Sequence, residues 1–260
     1  MIIREGINAN LYNQQKGALL MDRKISKEER DFLNNYSLAK YERPSVAADI
    51  VVFRMVEKDE ENKKKTRPKC LQILLIKRAN YPFKNYWTLP GGFCRPDERI
   101  EETARRELFE ETNVSGVDMK LIGVYSEPGR DPRGWIISNT YMVLVNHLDC
   151  ELRTDKEAWE AKWFSLDELE GLDIGFDHRT IIREAFLSLK EYASSYSNRI
   201  FDLLPPSFTL AELQLVYEEI LQCNLTKQNF RRKMMEFVEE TDEVETGYSH
   251  RNSQKYRRKH

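Results

Sequence analysis

The chain has 260 residues, 40% of them hydrophobic, and a formal net charge of −2 at pH 7. This length can bury one substantial core and a smaller second one, and the near-neutral total favours neither an acidic nor a basic partner. The four cysteines and four histidines lack the spacings of a zinc site or a disulfide framework. The apolar runs are too short to span a bilayer and the N-terminus lacks the apolar core of a signal peptide, which predicts a cytoplasmic protein with no membrane partner.

The first part of the chain, residues 1–44, is a polar extension. One helix is predicted in it, from Lys27 to Asn34, and the extension ends near Pro44. No residue pattern in it indicates chemistry.

Residues 45–197 form a strand-rich second part. The predicted elements are strands at Ala48–Val56, Leu71–Lys77, Lys120–Ser126, Ile136–Val145 and Ala161–Phe164, and a helix at His178–Tyr192. A further helix is predicted between the second and third of these strands. Strands that surround two helices predict an α/β (α+β) fold built as an α/β/α sandwich.

That further helix carries charged residues at an unusual spacing. Gly92 is followed after five residues by Glu98, and after seven more by the segment Arg106–Val114. Asp97 is predicted to cap a helix from about Glu98 to Thr112, because apolar residues recur at helical spacing after it. The Leu-Pro-Gly-Gly segment just before it predicts a strand end and a sharp turn.

Glu107, Glu110 and Glu111 are predicted to lie close together, because residues three and four positions apart lie on the same side of a helix. Clustered carboxylates repel one another unless a cation joins them. Hard oxygen ligands suit Mg²⁺ or Mn²⁺, which can bridge phosphate oxygens and activate a water molecule.

Arg106 stands among these glutamates and can hold Glu98 or Glu102 in a fixed orientation by a forked ion pair. Glutamates and arginines at helical spacing are also typical of ordinary solvated helix faces. The Gly-Gly loop before the helix favours the metal site over that alternative.

The remaining chain divides into a linker, residues 198–206, and a small domain, residues 207–260. Thr209 and Thr226 are predicted to cap two short helices, and a basic hairpin from about His250 to Arg258 follows. Helix, turn, helix and hairpin predict a winged helix-turn-helix, whose second helix enters the DNA major groove. The candidate DNA contacts are Lys227, Asn229, Arg231, Arg232, Arg251 and Arg257. Alternatively, the helical pair docks on the first domain as a dimer or lid element, and the basic end only aids solubility.

The segment from Gly92 to Val114 resembles the Nudix box, G-x5-E-x7-R-E-U-x-E-E-x-G-U with U aliphatic. It departs from the box only where Asn113 replaces the last glycine, and asparagine is the residue that next best tolerates the left-handed conformation expected there. From residue 43 to the C-terminus the chain resembles the NrtR-like Nudix-related transcriptional regulators. The segment Pro128–Gly134 is similar to a loop of ADP-ribose-type Nudix proteins.

This resemblance implies a set of site residues. Metal ligands would be the Gly92 carbonyl and the carboxylates of Glu107, Glu110 and Glu111, with Glu98 and Asn113 structural in the box. Glu107, Glu110 and Arg106 would serve catalysis, and a proton acceptor would come from a later loop, Glu157 or Glu160. Arg78 or Arg130 could bind phosphate. Phe83 and Trp87 could stack on a base, although aromatic residues beside a strand more often lie in the core.

Two functions follow from these expectations. The first is a Mg²⁺- or Mn²⁺-dependent hydrolase of a nucleoside diphosphate derivative, with ADP-ribose as the favoured substrate. The alternative is a DNA-binding regulator whose Nudix domain senses ADP-ribose, a sugar or a sugar phosphate. Such a regulator is expected to be a homodimer on a palindromic double-stranded operator. The retained glutamates put hydrolysis first and regulation second.

Overall fold

A computed structural model of the chain describes residues 25–58, 68–146, 160–245 and 253–259. In this part of the chain seven strands form one mixed sheet: β1 Ser45–Glu57, β2 Lys69–Lys77, β3 Trp87–Thr88, β4 Gly91–Phe93, β5 Met119–Tyr125, β6 Ile136–Asn146 and β7 Glu160–Ser165. The strand order is β3-β2-β1-β6-β5, with β4 paired to β1 and β7 paired to β2. β1 and β6 are parallel, whereas β2 and β4 pair with β1 antiparallel.

Helices lie on both faces of this sheet. They are α2 Ile100–Thr112 on one face and α3 His178–Ser194 on the other, whereas α1 Lys27–Asn35, which precedes β1, has no buried residue. Alternate side chains of a strand point to opposite faces, and β1 follows this rule. Its residues 48, 50 and 52 pack with Ala104 and Leu108 of α2, whereas residues 51, 53 and 55 pack with Ile181 and Ala185 of α3. The predicted α/β/α sandwich is thereby confirmed.

The C-terminal domain is a winged helix. It consists of β8 Phe208–Thr209, α4 Leu210–Leu221, α5 Lys227–Met234, β9 Val238–Glu245 and β10 Ser253–Arg258. Its three strands form a sheet in the order β8-β10-β9. α4 begins with a reciprocal cap, in which the Thr209 hydroxyl accepts from the Glu212 amide and Glu212 accepts from the Thr209 amide.

The predicted linker is packed rather than extended. Residues Asn198–Leu203 form a 3₁₀ helix, and its Ile200, Phe201 and Leu203 are buried. These side chains join one continuous core that runs from the α3 face of the large sheet into the winged helix. In addition, Glu219 of α4 accepts a hydrogen bond (3.2 Å) from the Leu71 amide of β2. The two domains are therefore fused through a shared apolar core.

The start of α2 differs from the prediction. Its N-cap is Arg99, not Asp97, and its first residue is Ile100. The reason is a turn over the preceding residues, in which the Glu98 amide donates to the Arg95 carbonyl (3.1 Å). The Arg99 amide then donates to the carboxylate of Glu102 (2.7 Å), which completes the helix start.

None of the described helices is long and apolar enough to cross a membrane.

We expect Phe208→Ala to lower the free energy of unfolding by about 3–5 kcal/mol, because it leaves a cavity in a core that both domains share. Phe208 is 1% exposed and packs against Phe201 at 5.7 Å between ring centroids. Denaturant unfolding measures the change, with Leu187→Ala, at a 54% exposed position, as the control. Equal losses in the two variants would contradict the shared core.

Candidate functional site

A cavity of about 410 Å³ opens at the edge of the large sheet. Its walls come from β1, β4, the loop before β6, one side of α2 and the start of α3. Ten of the lining residues are charged: Asp49, Arg78, Arg95, Arg106, Glu107, Glu110, Glu111, Arg130, Asp131 and Arg133. Acidic residues of α2 form one end, and arginines form the other.

Arg106 organises the acidic end. Its Nε and Nη2 donate to the two carboxylate oxygens of Glu98, at 2.5 and 2.9 Å, in a forked pair. Nη1 donates to Glu107, and Nη2 also donates to the Phe93 carbonyl at the end of β4 (3.2 Å). Glu102, the other partner considered from the sequence, instead contributes to the helix cap.

The Arg106 pair shifts the titration of both partners. Hydrogen bonds from Arg106 and Thr103 lower the pKa of Glu98 from 4.5 to about 2, against the opposing effect of burial. Hydrogen bonds to Glu98 and Glu107 raise the pKa of Arg106. Glu98 therefore stays ionised at neutral pH as the counter-ion of Arg106. It positions Arg106 and does not carry protons.

Gly92 and Gly91 bring the backbone into close contact with the α2 glutamates. A Cβ atom at Gly92 would lie 2.4 Å from Cδ of Glu107, so any other residue there would displace the Glu107 carboxylate. The Gly91 amide donates to Glu111 Oε2 at 2.9 Å. At the other end of α2, Asn113 adopts the left-handed conformation (φ 61°), and its amide donates to the Phe109 carbonyl.

The ligand types at the acidic end suit a hard divalent cation. Glu107, Glu110 and Glu111 line the cavity together with Gly92. However, Arg106 contacts Glu107 and lies 3.6 Å from Glu110. Across the described ranges, no three acidic, histidine or cysteine side chains are arranged as a metal cage. A divalent cation bound here would share these carboxylates with Arg106.

The arginines of the other end differ in their partners. Arg130 is almost fully buried and donates to both carboxylate oxygens of Asp177, at 2.8 and 2.7 Å, and to Asp49 at 3.4 Å. Arg78 donates to the Pro82 carbonyl (2.8 Å) and forms no ion pair with any residue in the described ranges. Burial, followed by the nearby charge of Arg133, lowers the pKa of Arg78. Asp177 and Asp49 neutralise Arg130, whereas no carboxylate of the described residues pairs with Arg78, so Arg78 is the arginine that is free to bind an anion.

The aromatic residues singled out from the sequence do not line the cavity. Trp87 is a core residue that packs edge-on against Phe164 at 4.7 Å. Phe83 packs behind the cavity wall, against Phe176 and Tyr86. The rings that face the cavity are Phe93 and Phe176. Their nearness to Gly92 and Gly175 is the one sequence signal that could have identified them.

A buried polar network under the cavity also escaped prediction. Asp49 of β1 accepts from the Ser138 hydroxyl (2.5 Å) and lies 3.8 Å from His178 Nε2. His178 Nδ1 accepts from the Leu89 amide (2.9 Å), and burial lowers the pKa of this histidine. A neutral imidazole with its proton on Nε2 satisfies both contacts. The network joins β1, the end of β3 and the start of α3.

Of the two candidate proton acceptors, Glu157 lies outside the described residues. Glu160 begins β7 and pairs with Lys77 at 3.6 Å, and the cavity walls do not include it. The structure thus does not bring Glu160 into contact with Glu107 or Glu110.

The exposed face of α5 is basic and polar. Phe230 and Met234 point into the core, while the exposed residues are Lys227, Gln228, Asn229, Arg231 and Arg232. α5 contains no acidic residue, and no ion pair within the described ranges involves Lys227, Arg231 or Arg232. This face presents free positive charge.

The hairpin after α5 differs from the predicted basic wing. β9 carries five acidic residues in eight, and it pairs with β10. Arg257 of β10 contacts Glu239 at 2.7 Å, Lys255 lies 3.9 Å from Glu243, and the Tyr256 ring is buried. Arg251 lies outside the described residues. Arg257 is therefore neutralised by the neighbouring strand, unlike the arginines of α5.

Comparison with known proteins accounts for both domains. The NUDIX domain model matches residues 44–185, and the model of the NrtR DNA-binding winged helix domain matches residues 200–258. This chain belongs to the NrtR-type Nudix family. It is 36% identical over 219 residues to the ADPR responsive transcriptional repressor NtrR of Acinetobacter baylyi, across 83% of this chain and 82% of that protein.

Other relatives of this Nudix chain include an enzyme and a DNA complex. The ADP-ribose pyrophosphatase of Methanocaldococcus jannaschii is 41% identical over 157 residues, 60% of this chain and 80% of that protein. Shewanella oneidensis NrtR complexed with a 27mer DNA superposes with a TM-score of 0.68 at 27% identity, over 82% of this chain and 93% of that one. Its NUDIX domain complexed with ADP ribose gives a TM-score of 0.52 at 27% identity, over 64% and 99%. These likenesses favour the regulatory alternative over hydrolysis as the main function.

The Glu98–Arg106 pair of the Nudix box should stabilise the fold fully only where Glu98 is ionised in both the folded and the unfolded state. Because the folded pKa (about 2) is below the ordinary 4.5, this contribution is complete above pH 4.5 and is lost as the pH falls towards 2. We expect the difference in unfolding free energy between wild type and Glu98→Gln to shrink over that interval. Denaturant unfolding at several pH values tests this. Glu101→Gln, which removes an exposed pair with Arg105, should show a small difference throughout.

Proposed function

We propose that this chain is a DNA-binding transcriptional regulator whose Nudix cavity binds ADP-ribose as its effector. The observation that carries the proposal is the exposed face of α5, which presents unpaired cations. The apolar core that the two domains share fixes the position of this helix relative to the Nudix cavity. The names of the relatives from Acinetobacter and Shewanella support the same function.

The cavity suits a nucleoside diphosphate sugar in size and charge. Its volume of about 410 Å³ lies within the range of small-molecule pockets. Arg78 can bind the diphosphate by charge-assisted hydrogen bonds because no carboxylate already holds it. Arg130 is assigned instead to the buried network, where Asp177 and Asp49 fix it.

α3 gives the cavity a physical link to the winged helix. Its first turn contributes His178 to the cavity wall, and Asp177 just before it holds Arg130. At its other end, Lys190 donates to Gln222, the residue that caps the end of α4 (2.7 Å), and Tyr196, just after α3, stacks on Tyr217 at 5.9 Å. A ligand that prefers one position of α3 would thereby favour one arrangement of the DNA-binding helices.

The proposed regulator acts as a two-fold symmetric dimer on a palindromic site. Lys227, Asn229, Arg231 and Arg232 are its DNA-contacting residues, at the start of the helix that would enter the major groove. Arg257 has a secondary role, because Glu239 already pairs with it, and Arg251 remains a proposed DNA contact.

We expect Arg231→Ala and Arg232→Ala each to weaken binding to duplex DNA. Each should also reduce the slope of the logarithm of the binding constant against the logarithm of the salt concentration, by about 1 for each DNA phosphate that the variant no longer neutralises. Fluorescence anisotropy on duplexes selected from a random-sequence pool measures both quantities. The control is Arg183→Ala, which removes an exposed arginine from α3 in the other domain. Equal affinity in all three variants would overturn the assignment of α5.

ADP-ribose should change the affinity of the chain for its selected duplex, and Arg78→Ala should weaken this response by lowering the affinity for ADP-ribose. The same anisotropy assay with added ADP-ribose tests the coupling, with ribose as the uncharged control ligand. Binding of ADP-ribose without any effect on DNA would contradict the regulatory link but not the ligand assignment.

A second function, hydrolysis of ADP-ribose, is favoured by the intact acidic end of the cavity. Mg²⁺ or Mn²⁺ would be held there by Glu107, Glu110, Glu111 and the Gly92 carbonyl, and would supply charge neutralisation of the diphosphate and activation of water. Arg106 orients Glu107 through its own pair with Glu98. Glu157 and Glu160 remain the proposed proton acceptors, and Glu160 would first have to leave Lys77.

We expect any turnover of ADP-ribose in the presence of Mg²⁺ or Mn²⁺ to be lost in Glu110→Gln, because the neutral amide is a poorer cation ligand. Phosphate release after phosphatase treatment of the products measures it. Glu101→Gln, on the exposed side of the same helix, is the matched control. Turnover that survives in Glu110→Gln would exclude Glu110 from catalysis; wild-type protein that binds ADP-ribose without turnover would act as a sensor only.

A further inference from the structure

Two phenylalanine rings from distant parts of the chain face the same cavity. Phe93 ends β4, directly after the glycine pair, and its side chain is 41% exposed. Phe176 lies just before α3 and is half-buried. Both line the cavity, whereas Trp87 and Phe83 pack away from it. The cavity thus has an aromatic wall made of these two rings.

A flat cation already lies over this wall. The guanidinium carbon of Arg133 is 4.9 Å from the centroid of the Phe93 ring and 5.4 Å from that of Phe176. Phe176 also contacts Arg78, whose guanidinium carbon is 5.1 Å from its centroid, and the His178 ring at 5.2 Å, so Arg133 is the cation that contacts both phenylalanines. Asp131 holds Arg133 in place through contacts of 2.6 and 3.0 Å. Guanidinium groups stack on aromatic faces as planar delocalised groups do. The position of Arg133 therefore marks a place over both rings that accepts a planar group.

The backbone holds Phe176 in an unfavourable conformation. Its φ of 56° lies in the left-handed region, which bulky residues rarely adopt. The neighbours on both sides are fixed, because the Gly175 amide donates to the Trp87 carbonyl (3.0 Å) and Asp177 pairs with Arg130. Such strain is retained where the surrounding contacts over-determine it, typically at ligand sites. Here its effect is to turn the ring towards the cavity.

We propose that Phe93 and Phe176 are the base-binding residues of this cavity, and that the planar base of the ligand takes the place over the rings that Arg133 occupies in the free protein. The inference rests on the proposed function, in which the ligand is ADP-ribose. Arg133 keeps its pair with Asp131 and moves off the rings as the base enters. Since every base has an aromatic face, the rings supply affinity for a nucleoside ligand over a plain sugar phosphate.

The test compares the affinity for ADP-ribose of wild type, Phe93→Ala and Phe176→Gly by titration calorimetry. Glycine is chosen at position 176 because it accepts the left-handed conformation, so the ring is removed without added backbone strain. Phe109→Ala removes a phenylalanine that is 47% exposed on α2 outside the cavity, and is the control. Thermal unfolding verifies that each variant is folded.

Loss of base stacking should weaken binding of ADP-ribose about 5- to 150-fold in Phe93→Ala and Phe176→Gly, and leave Phe109→Ala unchanged. With the fluorescent etheno-adenine analogue of ADP-ribose, wild type should change the emission on binding and the two ring variants should not. Folded ring variants that bind ADP-ribose as tightly as wild type would overturn the base site while leaving the proposed function intact. A wild type that does not bind ADP-ribose would overturn the ligand of the proposed function, and the base site with it.

Discussion

The contacts of one guanidinium group, that of Arg106, determine the geometry of the acidic end of the cavity. It joins Glu98 before α2, Glu107 on α2 and the Phe93 carbonyl on β4. These contacts of Arg106 therefore hold three separate segments of the chain in position. The close approach of Gly92 to Glu107 depends on them. Because forked pairs fix both distance and direction, the glutamates are pre-oriented before any ligand arrives.

The second constraint is the shared core. The apolar residues behind α3 continue without interruption into the winged helix, and the 3₁₀ helix between the domains contributes to that core. Relative movement of the domains must then involve repacking rather than free rotation about a linker. Discrete packing alternatives are what a two-state response to a ligand requires. The shared core and the position of α3 therefore both couple the cavity to the winged helix.

Local patterns in the sequence predicted most of this fold. The strands, α2, α3 and both helices of the winged domain followed from periodicity and caps, because these signals are contained within a few residues. What could not be predicted depends on which residues meet across the fold. Trp87 faces the core because its strand pairs with β2 at Lys77 and its ring meets Phe164.

The same limit applies to the arginines. Arg78 and Arg130 are equivalent phosphate ligands in the sequence, yet Asp177, 47 residues from Arg130, already neutralises one of them. Likewise, the charge of Arg257 depends on the register that sets it opposite Glu239. The helix positions of Arg231 and Arg232 needed no such information, because exposure on a helix follows from its period.

The acidic strand β9 has a consequence for how the proposed regulator would search for its site. In the described part of the hairpin, acidic residues of β9 pair with Lys255 and Arg257, so the unpaired cations described in the winged helix are concentrated in α5, a helix of about two turns. So few cations give weak attachment at cellular salt, and one subunit alone would dissociate quickly. Two helices tethered at the correct separation would bind far more tightly, because the second attaches at a high effective concentration. A small ligand-induced change in the distance between them would then abolish the avidity without disturbing either contact surface.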